Sequence, residues 1–213
     1  MTLPAPFAYP RQPHRRKHGP LGYRQYSMYR EWLRDEWSFR CPYCLTRERW
    51  RPRSNDWERD HFLAKKHRPD LALEYDNLVQ ACSACNGIKG TKTLPDPCAV
   101  GYGELVEVDD EGKIHPRPGR EMEGAYLIEK MKLDAPEMDT LRKDIFNRIK
   151  VALKLGLDDP DARALLKNCL GYPDNLPDLS KEPLPPDGNQ RPEGISNSFF
   201  EQNKRPGGLP EYY

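Results

Sequence analysis

The sequence predicts a small α+β protein with a metal-stapled centre, and three observations carry that prediction. Two C-x2-C pairs, Cys41/Cys44 and Cys82/Cys85, are separated by 37 residues. Short stretches alternate apolar and polar residues with the two-residue period of strands, and longer ones repeat apolar residues every three or four positions, the helical period.

With 213 residues, 37% of them hydrophobic, the chain is long enough for one compact domain with appendages or for two small ones. It has no run of about 18 apolar residues, and its first 20 residues lack the apolar stretch of a secretory signal, so a cytoplasmic protein without a membrane span is expected. Six cysteines in such a chain argue for metal or chemistry before disulfides. The net charge of +1 conceals an asymmetry. Residues 1–92 hold 18 Lys and Arg against 10 Asp and Glu, a balance of +8, and residues 93–213 hold 16 against 23, a balance of −7. The N-terminal part has the charge of a polyanion binder, although a merely solvated basic face gives the same count.

Four segments follow. Residues 1–20, where prolines alternate with Arg15, Arg16 and Lys17, read as an extended basic arm with no core of its own, suited to tracking a phosphate backbone. Residues 21–95 hold the cysteine pairs and begin with an amphipathic helix over 23–37, in which Tyr26, Tyr29, Leu33 and Trp37 form a packing stripe. Residues 96–170 read as a hairpin turning at Asp110-Glu111-Gly112, then helices over 121–133, 136–155 and 160–169, the second striped by Leu141, Ile145, Ile149 and Leu153. Residues 171–213, with eight prolines and five glycines, cannot bury enough apolar surface to offset their ordering entropy. They read as a loosely wrapped tail, in which Ile195–Phe200 and the terminal Glu211-Tyr212-Tyr213 are candidate anchors.

Each C-x2-C pair places two thiolates on one tight knuckle, and two knuckles together complete the tetrahedral S4 site that structural zinc prefers. Redox C-x-x-C chemistry and chance spacing are the competing readings. Cys98 and Cys169 have no spaced partner and read as ordinary buried cysteines. Between the knuckles, Asp60 and His61 are adjacent in a strand expected over 57–63, so their side chains point to opposite faces unless the strand bends or ends there. Asn77 and Asn86 follow, the latter immediately after Cys85.

The order C-x2-C, Asp-His, Asn-Leu, C-x2-C-Asn and a nearby Lys resembles the HNH endonucleases of the ββα-metal type, in the variant whose last position is Asn. The resemblance covers residues 39–92 closely. More loosely, the whole resembles stand-alone bacterial HNH proteins, including components of Septu-type and retron anti-phage systems. It implies a ββα-metal core in which His61 is the general base, Asp60 and Asn86 bind one Mg²⁺ or Mn²⁺, and Asn77 fixes the loop and orients the base.

The chemistry asks for the same residue types. Activating water near neutral pH calls for a histidine. A leaving 3′-oxygen needs a Lewis acid, and a hard ion takes oxygen ligands from a carboxylate and an amide. Lys89, Lys92, Arg47, Arg49, Arg51 and Arg53 are candidate phosphate contacts to DNA, the arginines alternating as on the exposed face of a strand. His67 receives no role. A zinc-knuckle module that binds nucleic acid or protein without cutting is the first alternative, and an effector silenced by a partner such as a defence ATPase is the second.

Overall fold

The structure, a computed structural model, describes residues 5–204 and divides into two compact units. One comprises residues 15–93 with 172–204, and the other residues 5–14 with 94–171.

In the first unit, a 3₁₀ turn at Tyr26–Tyr29 leads into α1 (Arg30–Glu36). The helical stretch begins three residues later than the stripe implies. Tyr29, Trp32, Leu33 and Trp37 are buried, whereas Tyr26 remains 38% exposed. Ser38 and Phe39 then take positive φ angles of 54° and 56°, which stop the helix and turn the chain into the first knuckle. There the amide of Leu45 donates to the carbonyl of Cys41 at 2.9 Å.

β1 (Trp57–His61) pairs antiparallel with β2 (Leu78–Cys82), with Trp57 opposite Cys82 and His61 opposite Leu78. The expected strand over 57–63 ends two residues early. Asn77 takes the next amides: its carbonyl accepts from Phe62 N at 2.8 Å and its side-chain Oδ1 from Leu63 N at 2.8 Å. β2 is buried at every position and runs directly into α2 (Ser83–Lys89), where Cys82 Sγ caps the first turn by accepting from Cys85 N at 3.5 Å. Gly90 ends this helix at φ 51°, a left-handed value that a side chain would resist.

The arm and the tail depart from expectation in this unit. Part of the basic cluster is used internally: the Arg16 guanidinium stacks over Trp37 and Tyr75, and the neighbouring His18 is fully buried, while Arg15 stays exposed. Two carboxylates of α1 collect this segment. Glu36 accepts from the amides of Lys17 and His18 at 2.9 and 3.0 Å, while Asp35 Oδ2 lies 2.8 Å from His18 Nε2 and 3.1 Å from Lys17 Nζ. The proline-rich segment after 171 is stitched down as well. Its Phe199 and Tyr172 rings pack on Phe39, Phe199 N donates to Asp35 Oδ1 at 2.7 Å, and Arg191 pairs with Asp76 at 2.8 Å. Composition understates this order because the stabilising groups belong to the segment's hosts. The terminal Glu-Tyr-Tyr lies outside the described residues.

In the other unit, β3 (Val106–Val108) and β4 (Ile114–Pro116) form the expected hairpin, with Asp109 Oδ1 accepting from the amides of Glu111 and Lys113 at 2.9 Å each. α3 (Glu121–Met131), α4 (Pro136–Leu155) and α5 (Pro160–Leu170) follow close to their expected bounds. Prolines at the first turns of α4 and α5 cost no helical hydrogen bond there. Ile145, Ile149 and Ala152 of α4 are buried, as are Ala162, Leu166 and Leu170 of α5. Phe7 packs edge-on to Phe146, and Gly103 lets the chain at Tyr9 approach so closely that a Cβ would sit 2.2 Å from its carbonyl oxygen. Among the described residues, no helix is long and apolar enough to cross a membrane.

Candidate metal centre and catalytic face

The knuckle after α1 and the junction of β2 with α2 bring Cys41, Cys44, Cys82 and Cys85 together, all four buried, with their sulfurs within 4.8 Å of one another. Hydrogen bonds from Cys41, Cys82 and Cys85 hold the Cys44 thiol well below its usual range, burial pushes Cys41 well above it, and the other three thiols raise Cys85. Four buried sulfurs this close together fit the tetrahedral S4 site of a structural divalent cation. Cys169 is buried in α5 as expected, and Cys98 is partly exposed.

Asp60 and His61 point to opposite faces of β1. Asp60, 5% exposed, accepts from the Tyr43 hydroxyl at 2.6 Å on Oδ2 and from Lys89 Nζ at 3.1 Å on Oδ1. Burial pushes its carboxyl above the usual range, and Lys89 followed by Tyr43 pulls it back. His61 is half-buried, with its ring edge-on to Tyr26 and its Nε2 3.0 Å from the carbonyl oxygen of Ala72. A carbonyl oxygen only accepts, so Nε2 is the donating nitrogen, and in the neutral ring the lone pair lies on Nδ1.

Asn77 is buried and pins the loop from 62 to 77. Besides taking the Leu63 amide on Oδ1, its Nδ2 donates to the carbonyls of Leu63 and Leu71 at 3.1 and 3.2 Å. Asn86 sits in α2, and its Nδ2 donates to Glu58 Oε2. The side chains of Asp60 and Asn86 are thus engaged by different partners, Asp60 by Lys89 and Tyr43, and Asn86 by Glu58.

The candidate phosphate contacts separate into two groups. Lys89 is fully buried, its ammonium bonded to Asp60 and to the carbonyl of His61 at 2.8 Å, so the expectation of a phosphate contact there is corrected. Arg47 is buried too, with its guanidinium 6.0 Å from the centre of the Trp50 ring. Arg49 donates to the Tyr172 carbonyl at 2.8 Å and pairs with Asp174 at 3.0 Å. The chain at 48–50 is a 3₁₀ turn, which breaks the strand-like alternation expected of these arginines. Arg53 and Lys92 are exposed, Arg51 is half-buried, and Lys92 Nζ donates to the carbonyl of Ile88.

Sequence reasoning missed Tyr43 and Glu58. Tyr43 lies inside the first knuckle, where the cysteines drew all the notice. Glu58 is two residues before Asp60 and so on the same strand face, a relation that the two-residue period makes legible.

A strand pair followed at once by a short helix, with a four-sulfur cage at its base, defines the ββα-metal class. The family model for HNH endonuclease matches residues 41–92, which run from the first cysteine pair through α2, so this segment is similar to that family. A comparison with curated proteins gives no match.

Proposed function

We propose that the protein is a metal-dependent HNH endonuclease that hydrolyses phosphodiester bonds of DNA. The observation that carries the reading is His61: its Nε2 donates to the Ala72 carbonyl, which orients the ring and leaves Nδ1 as the base. In this reading Zn²⁺ occupies the cage of Cys41, Cys44, Cys82 and Cys85 and holds the fold. Asp60 and Asn86 hold Mg²⁺ or Mn²⁺, which when bound supplies Lewis-acid stabilisation to the departing 3′-oxygen.

The fit of Asp60 to that role rests on donor capacity. A carboxylate offers about four lone-pair sites, and Tyr43 and Lys89 use two of them. His61 accepts a proton from the attacking water at Nδ1, and the Ala72 carbonyl stabilises the imidazolium so formed. Asn77 keeps the loop from 62 to 77 closed, which holds Ala72 against His61. Arg53, Lys92 and Arg51 are the candidates left for phosphate contact, and such contacts position a substrate without selecting its sequence. A role in anti-phage defence is supported by the sequence resemblance alone.

A second reading draws on the buried Asp60–Lys89 pair: a structural ion pair suits a module that binds nucleic acid without cutting it. Supercoiled plasmid incubated with wild type and His61→Ala, in Mg²⁺ or Mn²⁺ and in EDTA, separates the two. Metal-dependent nicking or linearisation that disappears in a folded, zinc-loaded mutant supports the nuclease. Intact plasmid with folded wild type supports the binding module.

A further inference from the structure

An amide side chain has a donating end and an accepting end, and only its oxygen binds a hard cation. A ligand asparagine therefore needs something to decide which end faces the ion. On the face shared by β1 and α2, Glu58 accepts from Asn86 Nδ2. A carboxylate has no proton to offer, so only the Nδ2 end of the amide satisfies it, and Oδ1 is turned away from Glu58. Glu58 stands opposite Ala81 in the strand pair and Asp60 opposite Val79, so the two carboxylates are neighbours on one face. They differ in setting: Glu58 is exposed, and Asp60 is buried.

We propose that Glu58 is a positioning residue whose carboxylate fixes the Asn86 amide with Oδ1 presented to the catalytic divalent ion. This rests on the nuclease reading of the same face. Outer partners of this kind orient ligands in many metal sites, and their loss typically weakens metal binding about 10–100-fold.

The test is Mn²⁺ binding followed by electron paramagnetic resonance on full-length, zinc-loaded protein with a DNA duplex present. All samples carry His61→Ala so that the duplex survives. The comparison covers Glu58→Ala, Glu58→Gln, Asn86→Asp and the Glu58→Ala/Asn86→Asp pair, each checked for zinc content and thermal melting.

Glu58→Ala is expected to weaken Mn²⁺ binding about 10–100-fold with zinc and melting unchanged. Glu58→Gln, which keeps an acceptor oxygen, is expected to restore most of it. In the Asn86→Asp background the loss on removing Glu58 should vanish, because either oxygen of a carboxylate can bind the ion. Three results overturn the proposal: Glu58→Ala binding Mn²⁺ like its parent, an equal loss in both backgrounds, which would make Glu58 a ligand itself, or a loss explained by lower melting and released zinc. Absence of both Mn²⁺ binding and plasmid cleavage by protein with His61 intact overturns the nuclease reading and takes this role with it.

Discussion

Lys89 Nζ lies 3.1 Å from Oδ1 of Asp60 and 2.8 Å from the carbonyl oxygen of His61, so one ammonium from α2 clamps two consecutive residues of β1. Both charged groups are buried. Breaking a buried pair by removing one member leaves an uncompensated charge and costs about 3–5 kcal/mol, whereas replacing both is far less damaging. Lys89→Met is expected to lower unfolding free energy by that amount, and Asp60→Asn/Lys89→Met to recover most of the loss. Urea unfolding of the single and double variants measures the coupling, and additive losses would mean that the two side chains do not depend on each other.

Tyr43 connects the cysteine cage to this pair, since it stands between Cys41 and Cys44 and donates to Asp60 Oδ2 at 2.6 Å. A hydrogen bond to a charged group is worth about 1.5–3 kcal/mol. Tyr43→Phe should lose that much stability while keeping its metal, and Cys82→Ser should release the metal and unfold the segment from 41 to 92. Elemental analysis alongside circular dichroism distinguishes them. Equal metal loss in the two variants would show that the knuckle cannot form without the Asp60 contact.

How much of this was legible in the sequence depends on the reach of each interaction. The cage was legible because C-x2-C spacing is set by local knuckle geometry, and α3 to α5 because their stripes are periodic and their starts carry prolines. The opposite orientation of Asp60 and His61 followed from strand alternation alone. Lys89 was misjudged because its partner lies 29 residues earlier, and a lysine one turn past Asn86 reads as exposed until β1 is laid beneath α2. Arg47 and Arg49 were misjudged for a related reason: the 3₁₀ turn at 48–50 has no apolar period to announce it. Arg16 and Lys17 looked like part of a free basic arm because their partners, Trp37 and Tyr75 for Arg16 and Asp35 and Glu36 for Lys17, lie more than 15 residues further on.

Asn77 carries three hydrogen bonds from one buried side chain, to the amide and carbonyl of Leu63 and the carbonyl of Leu71. Asn77→Ala leaves those buried backbone groups unpaired, at about 1–3 kcal/mol for each left unsatisfied. Amide hydrogen exchange should accelerate across residues 62–77, and His61 should lose its Ala72 partner. Cleavage is expected to fall with zinc content unchanged. Unaltered exchange in that loop would remove Asn77 from its pinning role.

Deleting everything after Gly171 is the sharpest test of how the first unit is held together. From composition, cleavage should survive the deletion. The contacts argue otherwise: the cut removes Tyr172 and Phe199 from Phe39, Asn175 from the buried Arg34 at 3.0 Å, and Arg191 from Asp76. Aromatic pairs contribute about 0.5–1.5 kcal/mol each beyond the area they bury. Arg34 keeps Glu48 at 2.9 Å, so the deletion weakens α1 without stranding its charge. The truncated protein is expected to melt well below the full chain, and Phe199→Ala alone to lose about 0.5–3 kcal/mol. Both should retain the capacity of the cage to bind a metal, since its four cysteines lie between residues 41 and 85. Melting of the truncated protein at the full-length temperature would mean that these contacts ride on a core already complete without them.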